Sequence, residues 1–143
     1  MRSEFIQGVT IRPLRNGETA AIQAVFDRLG PMSRLLRFGG AKNVLLPSDL
    51  ALLSRVDANH HVLVALVEGE PVGIARLVRD GKVAEVAFAV ADDCQHRGVG
   101  TVLVERLAED ARAAGIESFR ADVAPSNAAS LALMRRLQLQ LAA

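Results

Sequence analysis

Three apolar, β-branched runs separated by tight turns constrain this chain most strongly. His61 to Val67 (HVLVALV), Val72 to Val78 (VGIARLV) and Val83 to Val90 (VAEVAFAV) follow one another, with only Glu68-Gly69-Glu70-Pro71 and Arg79-Asp80-Gly81-Lys82 between them. β-Branched side chains pack well on a pleated surface, and an Asp-Gly pair between two such runs is a strong hairpin signal. Connections this short join antiparallel neighbours, so the runs predict a meander of three strands.

Helical patterns flank the meander. Val9 to Pro13 reads as a short strand, punctuated by Asn16 and Gly17. Glu18 to Leu29 carries Ala21, Ile22, Val25, Phe26 and Leu29 at helical spacing, and Gly30-Pro31 ends it. Pro31 to Asn43 shows no clear period. Pro47-Ser48-Asp49 opens a second helix running to about Val56, with Ser48 or Asp49 near its first turn. Gly100 to Ala114 has the strongest helical pattern. Val99, Val102, Leu103, Leu107, Ala111 and Ala114 share its apolar face, and Gly115 closes it. A strand over Glu117 to Val123 and a final helix over Asn127 to Leu137 complete the order. The class is α/β (α+β): a mixed, mainly antiparallel sheet flanked by helices. The 143 residues form a single domain with a core over about residues 9 to 137.

Composition excludes several function classes. Seventeen basic and sixteen acidic side chains nearly cancel, and aromatic residues are 3% of the chain, with no Trp or Tyr. A nucleic-acid partner is not expected from such a balance. Cys94 is the sole cysteine, which excludes an internal disulfide framework. The apolar runs fall short of the ~18 residues that a membrane span needs, and the N-terminus lacks a signal-like stretch. The expectation is a cytoplasmic protein with no membrane partner.

The chemistry concentrates where the third strand feeds the strong helix, through Gln95-His96-Arg97-Gly98-Val99-Gly100. Backbone N–H groups at a helix start lack intrahelical acceptors, and the helix dipole favours negative charge there. Glycine lets backbone approach an anion closely. The spacing then discriminates between phosphate loops. A dinucleotide fingerprint requires a third glycine where Leu103 stands, and a Walker loop requires Gly-Lys-Ser/Thr; both are absent.

The run Gln95-x-x-Gly98-x-Gly100 resembles the acyl-CoA signature of the GNAT family of N-acetyltransferases, Gln/Arg-x-x-Gly-x-Gly/Ala. The order of elements over roughly residues 9 to 137 resembles that family too. The resemblance implies acetyl-CoA as co-substrate, no metal, and acetyl transfer to a primary amine. Gln95, His96, Arg97, Gly98, Val99, Gly100 and Thr101 would hold the pyrophosphate, mainly through backbone amides. Phe88, Ala89 and Val90 would pair by backbone with the pantetheine arm. Asn127 matches the family asparagine near the pantetheine and thiol, and is equally read as a helix N-cap. Counting from Asn127 puts Ser130 at a family alanine, within the cofactor-binding set, and Met134 at the family tyrosine.

That tyrosine usually protonates the leaving thiolate, and this chain has none. Water or Ser126 would substitute, or the thiolate would leave unassisted. Transfer also needs a base, because an amine with a pKa near ~10.4 is protonated at neutral pH. Glu85 lies inside the apolar strand Val83 to Phe88 and by alternation shares a face with Val83, Ala87 and Ala89. Partial desolvation would raise its pKa, and many family members place a base on this strand, acting directly or through water. The plainer reading is a glutamate on a solvated face. A catalytic role for Cys94, a metal site at His60-His61, and acceptor contacts from Arg34 and Arg37 are weaker readings.

Ser33-Arg34-Leu35-Leu36-Arg37-Phe38 resembles a stretch of GNAT domains that acetylate protein lysines, notably in bacteria, so a protein lysine is the acceptor suggested. The family continues past the last helix with further strands, whereas here only Leu139 to Ala143 remain. An open apolar edge is a liability. The expectation is either a truncated end or a homodimer in which another subunit covers the edge. The missing tyrosine also leaves a non-catalytic acyl-CoA sensor as the alternative function.

Overall fold

The computed structural model describes residues 7–38, 44–121 and 128–142. In chain order the elements are β1 (Val9–Pro13), α1 (Thr19–Asp27), α2 (Pro31–Phe38), α3 (Pro47–Leu53), β2 (His60–Val67), β3 (Glu70–Asp80), β4 (Val83–Val90), α4 (Val99–Ala113), β5 (Ser118–Arg120) and α5 (Ala128–Ala142). A single 3₁₀ turn at Asp92–Cys94 lies between β4 and α4. The five strands form one sheet in the order β1-β2-β3-β4-β5, antiparallel throughout except for the parallel pair β4–β5.

The meander forms as the apolar runs predict, with shorter turns. Glu68 and Gly69 both take positive φ (52° and 80°), the conformation of a two-residue hairpin loop whose twist matches its strands. β3 therefore starts at Glu70 and includes Pro71, which the sequence pattern places in a turn. A register shift at Ala65/Leu66 absorbs the irregularity beside that proline.

Strand alternation gives the sheet two covered faces. On one, Leu63, Ala75 and Phe88 align across β2, β3 and β4 and pack with Val99, Leu103 and Leu107 of α4. Gly73 lets α4 sit close, because a Cβ there would lie 3.0 Å from Leu103 Cδ1 and 3.2 Å from Val99 Cγ1. On the other face, Val62, Val64 and Ile74 pack with Ile22, Val25 and Phe26 of α1.

Two helices differ from expectation. Pro31–Phe38 is helical, although its sequence shows no clear period. The last helix runs on to Ala142, so Leu139, expected beyond it, lies within it. α5 packs on α4 through Leu137, which is fully buried, and an Arg112 guanidinium N–H donates to the Gln140 carbonyl near its end. β5 stands last in the sheet order, so its outer edge has no strand neighbour among the described residues.

The corner between β1 and α1 is clamped by charge. Arg12 donates to both carboxylate oxygens of Glu18, at 2.9 and 2.6 Å, and the Arg15 backbone N–H donates to the same group at 3.1 Å. The Arg12 hydrogen bonds are the main reason the Glu18 carboxyl falls from 4.5 to about 2. The folded value lies below the unfolded one. The clamp is therefore fully stabilising above about pH 4.5, and its contribution is lost as pH falls toward 2. Glu18→Gln is expected to lower the thermal midpoint at neutral pH and to make its acid decline shallower. Parallel wild-type and variant curves through this window would show that the clamp contributes nothing.

Candidate functional site

α4 starts at Val99, and Gly98 precedes it in the left-handed region (φ 92°), a conformation that costs residues with a Cβ. The first bond within this helix runs from the Val102 N–H to the Gly98 carbonyl, at 3.1 Å. The amides of Val99, Gly100 and Thr101 thus have no acceptor inside the helix and sit at its positive end. His96 also takes positive φ (59°), so the turn into the helix is tightly wound.

This helix start opens into a cleft of about 550 Å³. Gln95, His96, Gly98, Gly100 and Thr101 form one wall, and Phe88, Ala89 and Val90 of β4 form another. Ser130, with Ala128, Ala129, Ala132 and Leu133 of α5, closes a third side, and Leu29 and Ser33 reach in from the α1–α2 corner. Among the described residues, no carboxylate lines the cleft. A positive helix end beside apolar walls suits a ligand with a phosphorylated head and a largely apolar arm. β5 pairs with Val83, Ala84 and Glu85 alone, so among the described residues the outer edge of Val86 to Val90 has no strand neighbour. An extended ligand could bond to that backbone edge as an added strand does.

The expected cofactor residues divide into groups. Phe88, Ala89, Val90, Gln95, His96, Gly98, Gly100, Thr101 and Ser130 come together around the cleft. Val99 is fully buried in the core and is not among the cleft residues. Arg97 donates to the Asp93 carbonyl at 3.1 Å and is not among the cleft residues. Asn127 and Ser126 lie outside the described residues. The Gln95 side chain faces inward, donating to the Val90 carbonyl at 3.1 Å and Ser33 Oγ at 3.3 Å, so it braces the loop.

Asp92 ties α2 to this loop. Its Oδ2 accepts from the Gly30 N–H at 3.0 Å and its Oδ1 from Ser33 Oγ at 2.7 Å, satisfying the start of α2 from 62 residues away. A Cβ on Gly30 would lie 2.4 Å from Asp92 Oδ2, so the contact requires glycine. Asp92→Ala removes both bonds in an exposed setting, where water can replace the carboxylate, and is expected to destabilise the fold by about 0.5–1.5 kcal/mol. A urea unfolding midpoint equal to that of wild type would refute this.

Glu85 corrects one expectation. Alternation does place it with Val83, Ala87 and Ala89, opposite buried Ala84, Val86, Phe88 and Val90. Its side chain is 62% exposed, however, and the nearest cation is Arg120 on β5 at 4.0 Å. α1 packs over the Val62, Val64 and Ile74 part of this face, and Glu85 lies beyond it, so the expected desolvation does not occur.

The weaker candidates resolve by position. Cys94 is buried, and that burial, followed by the charge of Asp93, pushes its thiol up, away from the reactive thiolate. His60 Nδ1 meets Asp57 and His61 Nε2 meets Asp110, each at 2.7 Å, so the two rings serve different elements. Arg34 stacks over the Phe26 ring at 4.1 Å and donates to the Phe26 carbonyl, while the Arg37 side chain lies outside the described residues. Met134, at the expected tyrosine position, packs against the main core.

The family sequence model described as "Acetyltransferase (GNAT) family" matches residues 34–138. The chain belongs to that family. This GNAT chain is 38% identical over 94 residues to the acetyltransferase Pat of Mycolicibacterium smegmatis, covering 62% of this chain and 28% of that protein. It is 35% identical over 119 residues to an acetyltransferase of Pseudomonas aeruginosa, covering 78% of this chain and 63% of that one. The chain thus spans less than two thirds of the length of either relative. Among solved structures, the GNAT domain of S. lividans PAT superposes with a TM-score of 0.83 at 27% identity, over 90% of this chain and 80% of that one. A cAMP-binding acyltransferase from Mycobacterium smegmatis matches at TM-score 0.62 and 30% identity, over 93% of this chain and 41% of that one.

Leu29, Ser33, Ala128, Ala129, Ala132 and Leu133 also line the cleft and were not legible as site residues. Leu29 carried a signal only as an apolar position of the first helix, and Ser33 only as part of the run to Phe38. Leu133 meets Gly100 closely: a Cβ there would lie 2.9 Å from Leu133 Cδ2.

Proposed function

We propose that this GNAT domain is an acetyl-CoA-dependent N-acetyltransferase acting on a primary amine by direct transfer, with a protein lysine as acceptor. The observation that carries the reading is the cleft joining the α4 N-terminus to the edge of Val86 to Val90, which among the described residues holds no carboxylate and has no strand neighbour on that edge. The amides of Gly98 to Thr101 bind the pyrophosphate, and the backbone of Phe88 to Val90 holds the pantetheine arm. The family relationship and the cleft lining both support acetyl-CoA. A bacterial protein-lysine acceptor rests on the resemblance of the Ser33 to Phe38 run to lysine-acetylating GNAT domains, and a cytoplasmic setting is part of the same proposal. No described helix is long and apolar enough to cross a membrane.

When bound, acetyl-CoA supplies an activated thioester carbonyl. Glu85 takes a proton from the acceptor ammonium, through water given its exposure. The freed nitrogen bonds to the acetyl carbon and sheds its second proton to solvent as the carbon–sulfur bond breaks, and the departing sulfur takes a proton from solvent. The test is thiol release from acetyl-CoA with a panel of amines and lysine proteins. Acceptor-dependent release is expected. Tight acetyl-CoA binding without release for any acceptor would favour the sensor reading that the absent tyrosine raises.

A further inference from the structure

Arg76 is a charged side chain that the transfer reading leaves unused. It sits on β3, directly between Val62 of β2 and Ala87 of β4, on the sheet face that α1 packs against. Its Nε is buried and has no hydrogen-bond partner among the described residues. Burial pulls the guanidinium below its ordinary value and Glu85 partly restores it, yet an arginine stays protonated. A half-buried cation whose donor is unmet carries a desolvation cost, which a ligand anion would offset.

Its placement identifies which anion. Glu85 stands two residues before Ala87, Arg76's direct partner, so Arg76 and Glu85 are diagonal neighbours on one face, roughly 7–8 Å apart. Arg76 also lines a small hollow of about 40 Å³ with Leu29 and Ala89, which border the main cleft as well. The other described residues lining that hollow are all apolar, whereas Glu85 beside Arg76 is exposed, so an anion approaching from water arrives on the Glu85 side.

We propose that Arg76 is a specificity residue that receives a carboxylate carried by the acceptor close to its reactive amine. The inference rests on the reading of Glu85 as the base. At about 3.3 Å per extended residue, the spacing selects an acidic residue within about three positions of an acceptor lysine.

The test uses the intact chain with saturating coenzyme A and lysine peptides in pairs, each pair differing by Glu or Gln at one position near the lysine. The Arg76 Nε–H resonance, assigned by its loss in Arg76→Lys, is expected to shift with at least one Glu peptide and not with its Gln twin. In turnover from acetyl-CoA, that Glu peptide is expected to show about tenfold lower KM than its twin. The ratio should collapse to within about twofold in Arg76→Gln, and Arg76→Lys should keep part of it. Using the ratio cancels any general loss of folding. The proposal is overturned if no pair separates the Arg76 resonance, if Arg76→Gln keeps the preference, or if Arg76 instead discriminates succinyl-CoA from acetyl-CoA. Thiol release without an acidic preference would remove the role of Arg76 and leave the transferase reading standing. The resonance shift decides the carboxylate contact even where no peptide is turned over.

Discussion

Glu85→Gln is expected to lower kcat for acetyl transfer at neutral pH by about 10²-fold or more, with acetyl-CoA affinity unchanged. A positioned general base contributes typically 10²- to 10⁴-fold. The exposure of Glu85 argues for the lower end, since water can partly replace it. At pH 7 an amine with a pKa near 10.4 is neutral in only about one molecule per few thousand, so proton removal controls the supply of nucleophile. The variant should therefore recover at high pH, where the amine deprotonates unaided, and its rate should rise more steeply with pH than that of wild type. Stability should change by less than about 0.5 kcal/mol, because an exposed carboxylate becomes an isosteric amide and its contact with Arg120 is long and solvated. Steady-state thiol release across pH, with calorimetric binding of acetyl-CoA, checks each part. An unchanged kcat at neutral pH would remove Glu85 from the mechanism.

Gly98→Val is expected to weaken acetyl-CoA binding by about tenfold to a hundredfold. Gly98 holds φ at 92°, where a β-branched residue is strained by at least about 1–2 kcal/mol. The chain relieves that strain by rotating the peptide that leads into Val99, which turns the first amides of α4 away from the cleft. Losing one hydrogen bond to a charged group costs about 1.5–3 kcal/mol, and 1.4 kcal/mol is tenfold in affinity. Gly98→Ala should show the same direction with a smaller effect. Direct calorimetry separates this loss from any fall in thermal midpoint. Wild-type affinity in Gly98→Val would mean that the pyrophosphate does not rest on this helix start.

Gly98 borders the cleft, whereas Glu85 lies on β4 outside its lining, and Asp92 links the loop before α4 to α2. It lies three residues before Gln95 and holds Gly30 and Ser33 at the head of α2. Gln95 in turn reaches Ser33 and the last residue of β4. α2 and the loop before α4 are therefore held by shared hydrogen bonds.

Much of the architecture was legible because it rests on local rules. The meander follows from three apolar runs and two tight turns, and the α4 face from an apolar stripe at helical spacing. The anion-binding helix start follows from Gly98 and Gly100, since only backbone chemistry is involved. What the sequence left open depends on partners distant along the chain. α2 shows no clear period, yet its start is held by Asp92, 62 residues later. Alternation assigned Glu85 to its face correctly but not its exposure, because how far α1 covers a sheet face is a matter of packing. The same holds for Arg76, an arginine in an apolar strand whose unmet Nε appears only once α1 lies over the sheet. Periodicity determined which face each side chain takes, and the tertiary packing of helices on that face decided which of them meet water, a partner or a ligand.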